Sequence, residues 1–159
     1  MIRPSLARPA LAVAALALLA GCAGTGAKDT GTPTPVPTVS LPDGSVRGDV
    51  SDERVAELWF EADRAFRRGD DADALERLYE GLELDPRNSI FWSRAAEIQL
   101  RNAEPAQAEN FAVKSNTFAA NNNSLLYRNW LIIETARDMR GDLLGVRSAH
   151  KKVQQYQYR

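Results

Sequence analysis

From Ser51 onward, apolar residues return every three or four positions. Val55, Leu58, Trp59, Ala62, Ala65 and Phe66 stripe one face of a first helix, and Ala74, Leu75, Leu78, Leu82 and Leu84 stripe a second. Asp52 and Glu53 suit the positive start of the first helix. Arg68-Gly69-Asp70-Asp71 interrupts it, and Asp85-Pro86 ends the second, because proline cannot continue the hydrogen-bond ladder. Pro105 suits the first turn of a further helix. "AANNNS" forms a turn and cap in which Asn122 to Ser124 can bond free helix N–H groups. Strand signals are absent, so the pattern predicts an all-α domain over 51–159, long enough for one hydrophobic core.

The pattern changes before Ser51. Arg3 and Arg8 precede an apolar run from Leu11 to Ala20, the layout of a secretory signal peptide and too short to span a bilayer. Its end, Leu19-Ala20-Gly21-Cys22, resembles the lipobox of bacterial lipoproteins. The resemblance implies that residues 1–21 are removed and that Cys22, the only cysteine, becomes an acylated first residue. Two or more acyl chains anchor stably, so the membrane is met through lipid alone. Ala23 stands where aspartate often retains such proteins in the inner membrane, which implies the outer membrane, facing the periplasm. Residues 22–50 are rich in Gly, Thr, Ser and Pro, including Pro33, Pro35, Pro37 and Pro42, and are expected to form a disordered linker. Stretched as polyproline II such a tether reaches ~85 Å, against about 30 Å for a fully flexible chain.

Internal repetition gives the architecture. Leu58, Trp92 and Trp130 each stand eleven residues before a turn position, Gly69, Ala103 and Gly141, and the first two units are offset by 34 residues. Ala74, Ala108 and Val146, sixteen residues beyond each start, fall where paired helices approach closely. The spacing is similar to that of tetratricopeptide repeats. Unit one matches through Ala62, Gly69, Ala74, Leu78 and Pro86. Unit two matches through Trp92, Ala95, Ala96 and Ala108, with Gln99 and Ala112 replacing the usual aromatics. The third is offset by 38 residues and carries Glu134 in place of a small residue. A shift of one or two positions would turn Ile132, Ile133, Ala136 and Met139 inward. The resemblance implies a short solenoid of about three helix-turn-helix repeats, its concave side lined by the first helix of each pair. Trp59, Asp63, Phe66, Ser93, Glu97 and Leu100 would face that groove, where aromatics beside acids suit a peptide or a partner helix. Trp59 and Phe66 could equally complete the core between units.

Charge and composition narrow the chemistry. A net charge of −1 with mixed signs argues against nucleic acid as a partner. The stretch 49–90 holds 13 acids against 6 bases, and 91–159 holds 6 against 10. With no cysteine after Cys22, neither a disulfide nor a redox role is expected. His150 is the only histidine and no Gly-rich phosphate loop occurs, so histidine-paired catalysis lacks its parts; no enzyme activity, metal or cofactor is expected.

The stretch "AENFAVKSNTFAANNNSLLYRNWLIIETARDMRGD" resembles the small tetratricopeptide lipoproteins that activate class A penicillin-binding proteins, the bifunctional peptidoglycan synthases. The resemblance implies a periplasmic adaptor whose tether lets the helical domain reach a synthase in the inner membrane. Lys114, Asn116, Arg128, Asn129 and Trp130 are the expected contact residues, although Asn116 and Asn129 could instead bridge helix ends and Trp130 could be core. A pilotin-like adaptor for secretin or pilus subunits is the alternative.

Overall fold

The computed structural model describes residues 52–157; the expected signal peptide, Cys22 and the expected linker lie outside the described residues. The chain forms α1 (Glu53–Arg67), α2 (Asp71–Leu84), α3 (Ser89–Arg101), α4 (Pro105–Phe118), α5 (Asn123–Met139) and α6 (Leu143–Gln157), with no strand among the described residues. α1 packs on α2, α3 on α4 and α5 on α6, while α3 also meets α2 and α5. The domain is therefore all-α, built as three consecutive helix pairs.

Local chemistry sets the ends. The Asp52 carboxylate accepts the N–H groups of Arg54 and Val55 at 2.9 and 3.2 Å, and Asp70 accepts that of Asp73. Asn88 caps α3 through Ile90 and Phe91, and Asn122 caps α5 through Leu125. Each such cap is worth about 1 kcal/mol. α4 has no side-chain cap and starts on Pro105, whose missing N–H needs no partner there. All three turn positions read from the repeat spacing adopt the left-handed region: Gly69 at φ +77°, Ala103 at +58° and Gly141 at +70°. Ala103 carries a Cβ there, at a cost of about 1–2 kcal/mol.

α3 is the centre of the domain. Nine of its thirteen residues are buried, so it is wrapped on nearly every side. On one side Phe91, Ala95 and Ile98 pack with Leu58, Ala62 and Leu78 of the first pair; on the other Ala96 and Leu100 pack with Ala108, Ile132, Ile133 and Ala149. Leu100, expected in the groove, thus belongs to the core. Gly81 lets α2 approach α3: a Cβ there would lie 2.1 Å from Cε1 of the Phe91 ring.

Two readings need correction. Leu84 is 56% exposed. It follows the buried Leu82 by two residues, a rotation of about 200° that carries it to the opposite face. In the third pair Asn129, Ile133 and Ala136 are buried, at the places of the buried Phe91, Ala95 and Ile98 of α3 under the same offset that relates Ala103 to Gly141, whereas Trp130, Glu134 and Arg137 are only half-buried. Ile132, Ile133 and Ala136 thus point inward without a shift from that offset, and Met139 packs against them. Correspondingly, Ala149 and Val153 are the buried residues of α6 while Val146 stays half-buried.

The Gly81 contact makes a direct prediction. Gly81→Ala should destabilise the fold by about 1–3 kcal/mol through overpacking, and adding Phe91→Leu should recover part of the loss in denaturant melts. An unchanged midpoint for Gly81→Ala would show that α2 and α3 have room to spare.

Candidate partner-binding surface

The first helices of the pairs bring the expected groove residues together, but ion pairs and hydrogen bonds fill the space between them. Glu97 accepts from Nη1 of Arg94 at 2.5 Å and also from Nη2 of Arg128. Arg94 reaches Asp63 at 3.5 Å, and Asp63 pairs with Arg67 at 2.7 Å. The side chains of Arg94 and Arg128 are 2% and 0% exposed, whereas Asp63 and Glu97 keep 22% and 20%. The guanidinium of Arg94 lies 4.4 Å from the centre of the Phe66 ring and that of Arg101 lies 4.2 Å from it, cation–π contacts that strengthen as water is excluded. Partial burial lowers the pKa of Arg101, which stays charged at neutral pH beside Asp71, 2.9 Å from its Nε.

Behind the carboxylates runs a buried polar ladder. Nε of Arg128 donates to Oγ of Ser93 at 3.1 Å, and Ser93 donates to Oδ1 of Asn129 at 2.6 Å. Nδ2 of Asn129 donates to Oγ of Ser115 at 2.7 Å and to Oδ1 of Asn116 at 2.9 Å, and Ser115 donates to the carbonyl of Ser89 at 2.7 Å. Each hydroxyl gives one hydrogen bond and takes one, so α3, α4 and α5 are tied by side chains whose burial would otherwise cost 1–3 kcal/mol per unpaired group.

These positions revise the expected contact surface. Ser93, Arg128 and Asn129 are fully buried and offer a partner nothing in this conformation. The reason is that Arg128 and Asn129 lie on the face of α5 that packs on α3, where both bond Ser93. Trp59 and Phe66 are half-buried against the core, with the Trp59 ring 5.5 Å from that of Phe91. Trp130 packs on the α5–α6 core, and Asn116 is half-buried as an acceptor for Asn129. Lys114 stays exposed, its ammonium 5.3 Å above the Trp92 ring. Arg94 and Ser115 escaped the sequence reading; the Arg94–Glu97 spacing of three on a helix was the available signal.

Phe60, 66% exposed, lines an open concavity of about 850 Å³ along the outer side of α1 with Ala56, Glu57, Glu61 and Arg64. His150 bonds Glu134 at 2.8 Å on the surface. No group of three or more His, Cys, Asp or Glu that could hold a metal occurs among the described residues, and none of the described helices is long and apolar enough to cross a membrane.

Stacked helix pairs with left-handed turn residues at the repeat spacing define a helical-repeat domain. Among solved structures, the globular C-terminal domain of LpoP from P. aeruginosa is similar to it, at 27% identity and a TM-score of 0.61, the match covering 65% of this chain and 97% of that one. The resemblance of the sequence to the lipoprotein activators is therefore also a resemblance of fold. No protein-family model matches the chain, and no curated protein does.

The ladder carries a testable energy. Asn129→Ala strands Ser93, Ser115 and Asn116 and should cost about 1–3 kcal/mol, whereas Asp63→Asn, at the partly exposed end of the network, should cost under about 1 kcal/mol. Urea melts of both variants check this; equal costs would remove the distinction between buried ladder and groove rim.

Proposed function

We propose that the protein is a lipid-anchored adaptor of the outer membrane, facing the periplasm, that docks on a class A penicillin-binding protein and favours its active state. The observation that carries this reading is the likeness of the six-helix domain to the globular domain of LpoP, which spans nearly all of that domain. The lipobox-like Leu19 to Cys22 and the Pro-rich tract after it support an anchored, tethered placement. Activation then follows from differential affinity: the adaptor shifts the synthase only by as much as it binds the active state more tightly than the inactive one. Of the expected contact set, Lys114 is exposed and Trp59, Asp63, Phe66, Glu97, Asn116 and Trp130 are partly accessible.

The test is a timed assay of glycan polymerisation and crosslinking by a purified class A synthase from the same cell, with and without the full chain. Faster synthesis together with a stable complex is the expected result. Neither acceleration nor a complex would end the synthase reading.

A further inference from the structure

The basic residues of the described domain are not used alike. Arg54, Arg67, Arg68, Arg77, Arg94, Arg101, Arg128, Arg137 and Arg140 all pair with carboxylates, and Arg64, Arg87 and Lys114, which do not, lie singly on α1, ahead of α3 and on α4, the last two over the Phe118 and Trp92 rings. α6 carries Arg147, Lys151 and Lys152 with no acid of its own, and none of the three has a carboxylate within ion-pair distance among the described residues. All three are exposed.

The same helix begins with Leu143 and Leu144, 72% and 76% exposed, more than any other large apolar side chain described. Ala149 and Val153 pin α6 to the core. Leu144, Arg147 and Lys151, spaced by three and four, lie on the opposite side of the helix. The open face of α6 therefore presents an apolar anchor at its start and uncompensated positive charge over the next two turns.

We propose that this face, Leu143, Leu144, Arg147 and Lys151, is the docking surface for an acidic protein surface that surrounds an apolar notch, the leucines filling the notch and the cations meeting the acids. The inference rests on the synthase reading and assigns the acidic surface to the synthase's periplasmic part. Charge complementarity selects the partner's sign: an unpaired cationic rim raises the association rate with acidic partners and repels basic ones. The exposed leucines beside it would supply, once covered, the apolar contact that holds the complex. A lipid surface is the poorer fit. An interfacial helix needs apolar residues along its whole exposed face, and beyond Leu144 the open face of α6 is polar to its end at Gln157.

The experiment measures the affinity of the full chain for the purified synthase at low and moderate salt. Arg147→Glu with Lys151→Glu should weaken binding about tenfold or more and flatten its salt dependence, and Leu143→Ser with Leu144→Ser should weaken it with the salt dependence kept. All four side chains are exposed, so circular dichroism and the thermal midpoint should not move. Glu76→Lys with Glu83→Lys, on the exposed side of α2, should leave affinity unchanged.

No binding by the unaltered chain would overturn the synthase reading itself. Binding by the unaltered chain that survives both α6 pairs of substitutions would overturn only this surface. Two further results would also overturn it: a salt-sensitive dimer lost in the Arg147→Glu, Lys151→Glu chain, which assigns the face to a second copy, or co-sedimentation with phosphatidylglycerol vesicles lost in the same chain, which assigns it to lipid.

Discussion

The buried line of hydrogen bonds from Glu97 through Arg128, Ser93, Asn129 and Ser115 to the Ser89 carbonyl is the constraint from which the rest of the domain follows. Apolar packing alone would hold three helix pairs together in more than one register, because Ala and Ile contacts are not directional. A chain of buried donors and acceptors is directional: a slip of α5 by one residue leaves several groups unpaired at once. The register of α5 that sets Asn129 between Ser93 and Ser115 is what satisfies the ladder.

That choice has a consequence for binding. A helical-repeat groove is open when its lining residues project into solvent. Here Arg94 and Arg128 fill it, Phe66 lies against two guanidinium groups, and the two acids that reach the surface are already neutralised by arginine. Ion pairs and hydrogen bonds thus occupy much of the concave side. Unpaired positive charge next to the two most exposed leucines is found on α6, the last described helix of the stack.

Helices and turns were legible in the sequence because they depend on nearby residues: the acids Asp52 and Glu53 at a helix start, the cap at Asn122, the proline at 105, and the spacing of Gly69, Ala103 and Gly141 are local signals. The core of the first two pairs was legible because one period governs it. The third pair was only partly legible. Its apolar residues Ile132 and Ile133 are adjacent and fit two registers, and what decides between them is a hydrogen bond to Ser93, 36 residues away in the chain. Arg128 and Asn129 were misplaced for the same reason, since Arg and Asn on a helix ordinarily face water and only the facing Ser93 and Ser115 draw them in. The open face of α6 was unreadable for the converse reason: a short basic helix with leucines at its start looks alike whether or not another helix covers it.

Amide hydrogen exchange on the chain carrying Asn129→Leu, against the unaltered chain, tests the central claim most directly. If the ladder fixes the third pair, protection should fall across α5 and α6 while α1 and α2 keep theirs. Undiminished protection in α5 and α6 would mean that apolar packing alone sets the register, and the account would be wrong.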